Sequence, residues 1–546
     1  MKISLLVNLF AKFLTISVAA IALYFSFNGY AGFLLPDFDS DQAIHALMAA
    51  DLQLPADLYY WGQQRLGSIV PILGNFLLKH NNTLTAVEAV SYAQYFLLLI
   101  GYLSFASIFK TNIARILFAF AWFLPIHQFG FLLMLGQPYS AQLAFLGLAV
   151  ALIDKLPRKL GSWQVIVRQV MITGAVICLF ISLWASDFTL ISIGLISLLA
   201  ILATLYRIWL APVTLFAPKS LSIALLFEFI ALEIANVFMT SRYGVRFIEY
   251  AKSHAATSES HLGMNSPEQA QELFKLFTTP IAQTIASNNG NLLKNSLVFS
   301  TLSFWACAFT FLILYSLFRF VKLWLRTPTA DHYLTLSPWF WVFSANAMIG
   351  FIAILFSEWV YINSIQDGAG TRYFVPVYVF VWLAALLLVE GIPRIPAQPL
   401  WAILLVVAIT GSATLPASVY GFEKFEPTVQ RLQAVQDLGP AGFIGNHWAS
   451  YLLCSVNPKL LNCTQFDEFG QTPCPPPVEP PVRRHSGRCF RCVDRVLDSP
   501  TIYLVKNSWL EAYPDEIEQF GACLVRVGEP FDLAGYTFAH YQHRAF

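Results

Sequence analysis

Pro36-Asp37-Phe38-Asp39-Ser40-Asp41-Gln42-Ala43-Ile44-His45 sets three carboxylates within five residues. It directly follows Phe13 to Leu35, an uncharged apolar run of about 23 residues, long enough to cross a bilayer. Charge is scarce elsewhere: Asp, Glu, Lys and Arg make up 12% of the 546 residues, against 57% hydrophobic. A soluble domain is nearer half apolar and a quarter charged, so this is the composition of a polytopic membrane protein. Three acids at the mouth of a membrane helix therefore need a reason. The net charge of +1 lacks the basic surface that phosphate contacts demand, which excludes a nucleic-acid binder.

Lys2 and Lys12 precede the first apolar run and the aspartates follow it, which predicts a cytoplasmic N-terminus and an outer loop over residues 36–83. No small-x-small cleavage site is evident, so the run reads as an uncleaved span. Further apolar runs fall at 84–109, 113–135, 139–153, 165–186, 188–206, 220–240, 296–318, 337–359, 372–390 and 399–419. Together they predict about eleven transmembrane helices. Lys110 with Arg115, Lys155 with Arg158 and Lys159, Arg207 with Lys219, Arg319 with Lys322 and Arg326, and Arg394 occupy alternate connections. All of these connections come out cytoplasmic if the N-terminus is. An odd number of spans then places the C-terminal region outside. The expected division is a transmembrane domain, 1–419, with outer loops 36–83 and 241–295, and an extracytoplasmic α/β domain, 420–546.

Within the first outer loop, Asp39-Ser40-Asp41-Gln42 has the form of a helix capping box with Gln in place of Glu. Ile44, Leu47, Met48 and Leu52 then share a face, which predicts an amphipathic helix lying on the outer membrane surface. Ser266-Pro267-Glu268-Gln269 caps a second such helix, with Ala270, Leu273, Phe274 and Phe277 on one face. Gln366-Asp367-Gly368-Ala369-Gly370-Thr371-Arg372-Tyr373 is a glycine-rich loop that puts Arg372 at the outer end of a late span.

From about Tyr420 the chain turns soluble in character. Phe443-Ile444, Thr501 to Val505 and Ala522 to Val527 read as strands, and Trp448 to Cys454 and Pro514 to Phe520 as helices, which fits a small α/β domain. Six of the eight cysteines, Cys454, Cys463, Cys474, Cys489, Cys492 and Cys523, are confined here, while Cys178 and Cys307 sit in apolar runs. An even set in one region predicts disulfides in an oxidising compartment, one of them tying the proline-rich insert between Cys474 and Cys489. Cys489-x-x-Cys492 has no second close pair, which favours a structural disulfide over zinc.

Asp39 and Asp41 have two readings: one supplies a general base, or both hold a hard divalent cation such as Mg or Mn. The bland alternative is a helix cap plus charges at the membrane surface. Ser40-Asp41-Gln42-Ala43, His45-Ala46-Leu47-Met48-Ala49, Tyr60-Trp61-Gly62-Gln63 and Gly67-Ser68 together resemble the first outer loop of the GT-C glycosyltransferases. The nearest branch is the bacterial relatives of dolichyl-phosphate-mannose protein mannosyltransferases and aminoarabinose transferases. Thr371-Arg372-Tyr373-Phe374-Val375-Pro376 is similar to the start of a late span in the same superfamily.

The resemblance implies a polyprenyl-phosphate-linked sugar as donor, a glycan, lipid or protein acceptor, and a bacterial inner-membrane setting. It also implies Asp41 as the catalytic carboxylate. The family's following Glu is Gln42 here. His45, one turn from Asp41, and Gln42 and Gln63 are candidates to orient it. Arg372, Arg65, Arg242 and Arg246, and less so Lys79, are candidates for the donor phosphate, each also readable as an interface anchor. Two rivals remain. A transporter or flippase would use mid-membrane charges such as Glu228 and Glu233. An O-antigen-ligase-like enzyme would use the basic residues of the 241–295 loop.

Overall fold

The computed structural model describes residues 2–54, 56–61, 66–157, 162–210, 263–285, 336–366, 368, 370–392, 394–422, 425–475, 483–484, 489–506 and 509–544. The expected runs 220–240 and 296–318, with Glu228, Glu233, Arg242 and Arg246, lie outside the described residues, as do Gln63 and Arg65. The helical part comprises α1 (Lys2–Tyr30), α2 (Ser40–Ala50), α3 (Ile69–His80), α4 (Ala86–Ala106), α5 (Asn112–Phe123), α6 (Tyr139–Asp154), α7 (Ser162–Ala185) and α8 (Thr189–Leu210). It continues with α9 (Pro267–Ile285), α10 (Pro338–Leu355), α11 (Val375–Gly391) and α12 (Arg394–Ser412).

Among the described residues, five helical segments are long and apolar enough to cross a membrane: Leu9–Tyr30, Ala86–Ala106, Ile166–Ala185, Pro338–Leu355 and Arg372–Gly391. The shorter apolar helices pack beside them. The run at 113–135 is not one helix. It stops at Phe123, ahead of Pro125, and resumes as a 3-10 segment, His127–Leu132. Proline restricts the residue before it away from helical geometry and cannot donate to the next turn.

The helix expected on the membrane surface is an interior one. Nine of the eleven α2 residues are buried, from Ser40 round to Ala49, so no face of it is left for a lipid surface. Ala43, Ala46 and Ala49 keep its girth small, and it is packed between α3, α4 and a helix of the C-terminal domain. Thr85 and Glu88 form a reciprocal capping box that starts α4 beneath it. The second expected surface helix, α9, does begin with the Ser266–Gln269 box, and buries Leu273 while leaving Phe274 half exposed.

The C-terminal domain is a seven-stranded sheet, β1 (Ala441–Gly445), β2 (Leu461–Gln465), β3 (Ile502–Val505), β4 (Glu516–Gln519), β5 (Ala522–Arg526), β6 (Phe531–Leu533) and β7 (Tyr536–His543). Its order is β2-β1-β3-β7-β5-β4, with β6 on β7. β1 is parallel to both β2 and β3, and the remaining pairs are antiparallel. Helices α13 (His447–Cys454) and α14 (Phe490–Leu497) cover it.

Residues 514–520, expected as helix, contain β4. Ile517 faces the core, and Phe520-Gly521, both at positive φ, turn the chain into β5. Cross-strand pairing overrides a local preference here. All six cysteines of the domain are paired, as Cys454–Cys463, Cys474–Cys523 and Cys489–Cys492. The insert is thus tied to β5 and not closed on itself at Cys489.

The two halves share one apolar core. Phe38, Ala43 and Met48 join Phe443, Tyr451 and Phe538 in a single buried cluster. Polar fastenings add to it: Thr428 N–H donates to the Leu35 carbonyl (3.0 Å), and its hydroxyl to the Pro36 carbonyl.

Candidate active site

Asp39 is the N-cap of α2, its carboxylate accepting the Gln42 backbone N–H at 2.9 Å. Such a cap is worth about 1 kcal/mol. The reciprocal half of the box, from the Gln42 amide back to the Asp39 N–H, is not formed, and the buried amide lies against the Asp39 carboxyl instead. Burial, reinforced by the neighbouring Asp41, pushes the Asp39 carboxyl up to about 6. Asp37 is exposed.

Asp41, in the first turn, is 21% exposed at its side chain. Tyr60 hydroxyl lies 3.3 Å from its Oδ1 and 3.2 Å from its backbone oxygen. Tyr60 is held there by a bond from its N–H to the Leu66 carbonyl at 2.8 Å. The second group on Oδ1 comes from the other end of the chain: His447 Nε2, at 3.2 Å. His447 is the first residue of α13, whose cap, Asn446, accepts the Ala449 N–H at 2.9 Å.

Behind the carboxylate runs a glycine turn. Gly136 has φ +90, and a Cβ there would come within 3.1–3.2 Å of the Asp41–Gln42 backbone. Only glycine meets both demands. This turn connects the 3-10 segment 127–132 to α6, and the same segment meets the loop carrying Arg372, through the Thr371 hydroxyl on the Gln128 carbonyl. Gly368 and Gly370, at φ +72 and +60, bend that loop. Arg372 donates to the Tyr373 hydroxyl at 2.7 Å and stacks over its ring at 4.8 Å. Asp41 and Tyr139 lie close enough to Arg372 to act on it electrostatically.

Several expected residues fall elsewhere. His45 does not orient Asp41 by hydrogen bond. It is buried against the Tyr60 ring (5.2 Å), and desolvation lowers its pKa to about 4, so it is neutral near pH 7. Lys79 is exposed at the C-terminal end of α3. Asp39 and Asp41 each accept protein donors on Oδ1, from the Gln42 N–H and from His447 with Tyr60. Among the described residues the one group of three metal-ligand atoms is Cys474, Glu516 and Cys523, and both cysteines are committed to a disulfide.

Sequence reasoning missed His447. The signal was available: it stands two residues past the C-terminal end of β1, which is flanked by two parallel strands, and opens a helix, where open α/β sheets present their functional groups.

No family model matches this chain, nor does any curated protein. Among solved structures it is similar to ArnT from Cupriavidus metallidurans in the apo state. The TM-score is 0.41 and the identity 13%, covering 96% of this chain and 97% of that one. The same protein bound to undecaprenyl phosphate gives a TM-score of 0.41 and 11% identity over the same shares. The archaeal oligosaccharyltransferase AglB from Archaeoglobus fulgidus, in complex with an inhibitory peptide and a dolichol-phosphate, gives 0.39 and 13%, covering 91% of this chain and 70% of that one.

Proposed function

We propose that this chain is a GT-C-type integral membrane glycosyltransferase. It moves a sugar from a polyprenyl-phosphate donor to an acceptor on the extracytoplasmic face. One observation carries the reading: the Asp41 carboxylate, at the N-terminus of an interior helix, backs onto the Gly136 turn, and the 3-10 segment leading into that turn also holds the loop that carries Arg372. The motif resemblance around Asp41 and Arg372 supports it.

The chemistry follows from the residue types. Asp41 takes the proton of the acceptor hydroxyl as that oxygen bonds to the anomeric carbon from the face opposite the phosphate. The anomeric C–O bond breaks, and its electron pair leaves on the polyprenyl phosphate. Arg372 stabilises the phosphate charge, its planar fork suited to two phosphate oxygens. The result is inversion. The N-terminus is cytoplasmic and the sheet domain extracytoplasmic, in keeping with its three disulfides.

The test is transfer from radiolabelled undecaprenyl-phosphate hexoses and pentoses in membranes carrying wild type or Asp41→Asn. Loss of about 10²–10⁴ in rate is expected on removing a general base. Full activity in the variant would remove Asp41 from the chemistry and reopen the transporter and ligase readings.

A further inference from the structure

We propose that His447 is a positioning residue for Asp41, so that the C-terminal domain is part of the catalytic unit and not only a surface for the acceptor. The inference rests on Asp41 being the general base. It extends that reading to a residue 406 positions away.

A carboxylate can only accept, so the 3.2 Å contact to Oδ1 assigns the proton to Nε2 of the imidazole. The Tyr60 hydroxyl reaches the same oxygen at 3.3 Å. The Tyr60 hydroxyl shares its one proton between that oxygen and the Asp41 backbone carbonyl (3.2 Å), so the imidazole N–H is the donor given wholly to the carboxylate. The two contacts, from different elements, fix the rotation of the carboxylate about its Cβ–Cγ bond. That rotation decides where the acceptor's proton is received, and a base misplaced by 1 Å loses about 100-fold in rate. The imidazole itself has little freedom. Its side chain is 11% exposed, its backbone starts a capped helix, and the rings of Trp448 and Tyr451 flank it at 4.9 and 5.7 Å.

Domain docking does not require this contact. Thr428 fastens the domain to Leu35 and Pro36, and Arg491 and Arg495 fasten it to Asp51 and Asp57. A histidine placed on the one carboxylate with a chemical assignment is therefore better explained by that carboxylate than by the interface.

The experiment uses the full-length protein in membranes, with the member of the radiolabelled undecaprenyl-phosphate sugar panel that wild type consumes. His447→Ala is expected to lower kcat by about 100-fold and leave KM for the donor within about twofold. His447→Gln, whose amide reaches the same place as Nε2–H, is expected to recover at least a tenth of wild-type kcat. Trypsin resistance of the C-terminal domain should be unchanged in both.

Wild-type kcat in His447→Ala, with Asp41→Asn inactive, overturns the inference and leaves Asp41 as the base. So does equal loss in Ala and Gln variants accompanied by a protease-sensitive domain, which is the signature of a packing role. Activity in Asp41→Asn, or a wild type that consumes no panel member, overturns the transferase reading and this inference with it.

Discussion

Two arginines lie near α2, and they are used in opposite ways. Arg491, from α14, reaches Asp57 through two nitrogens (2.6 and 3.1 Å) and Asp51 through side-chain and backbone oxygens (3.2 and 2.8 Å). Its guanidinium also stacks over Trp61 at 5.5 Å, while the Trp61 indole donates to Asp57 at 2.9 Å. Arg372 hydrogen-bonds the phenol of Tyr373 and stacks over its ring, with Asp41 and Tyr139 acting on it through space. The first charge is neutralised on the spot by direct ion pairs, and the second hydrogen-bonds a neutral phenol, with Asp41 acting on it only through space. An arginine that serves the fold comes with its anions. One held by a tyrosine keeps its charge for an anion that arrives later.

Breaking the first of these should have the larger effect. Arg491→Ala leaves the buried Asp57 carboxylate without its ion pair, at a cost of about 3–5 kcal/mol. The expected readout is rapid tryptic release of the C-terminal domain. A double replacement, Arg491→Met with Asp57→Asn, should restore much of the resistance, since it removes both charges and leaves an amide oxygen to accept the Trp61 N–H.

Arg372→Ala should leave the domain protease-resistant but cut transfer by about 10²–10³, the usual loss for one stabilising donor. Arg372→Lys should recover only part of that, because the ammonium lacks the fork. If Arg372→Ala instead releases the domain, the contrast between the two arginines collapses.

The first turn of α2 supplies a pH test. The Asp39 carboxyl, raised from 3.8 to about 6, favours the folded state when protonated, so its contribution is lost as pH rises from about 4 to 6. The His45 imidazole, lowered from 6.5 to about 4, favours the folded state when neutral, so its contribution is lost as pH falls over nearly the same window. The two oppose one another, and wild type should vary little between pH 4.5 and 6.5. Asp39→Asn keeps a good cap but removes the first slope, so this variant should lose up to about 3 kcal/mol on acidification through that window. His45→Gln should do the reverse. Thermal unfolding in detergent at pH 4.5, 5.5 and 7 reads both.

The smallest expected effect is on the short disulfide beneath Arg491. Cys489→Ala with Cys492→Ala opens a loop of sequence separation 3, worth about 2 kcal/mol by chain entropy, against about 4 for Cys474–Cys523 with its separation of 49. Thermal unfolding with and without reductant should rank them in that order.

Much of this arrangement could be read from the residues. The Asp39 cap, the glycine loop before Arg372, the apolar runs and the oxidised C-terminal cysteines all have local signals. What was not legible depended on partners remote in sequence. Ala43, Ala46 and Ala49 carry little hydrophobicity, so α2 looked amphipathic when it is enclosed. Its cover comes from α3, α4 and the sheet domain, the last some 400 residues on. His45 looked like the natural partner of Asp41 by helical spacing, yet a neighbour one turn away was passed over for one that the tertiary fold delivers. Pro125 was a visible breaker inside a run judged by hydropathy alone.

The span between Asp41 and His447 also has a meaning in time. At about 5–20 residues per second, the ribosome takes roughly 20–80 s to travel the 406 positions between them. The candidate base is made first, and the imidazole on its carboxylate arrives only when the sheet domain is emerging. On that schedule a nascent chain that stops short of the sheet domain carries the acid but not the residue that aims it, and activity would wait for that domain to dock.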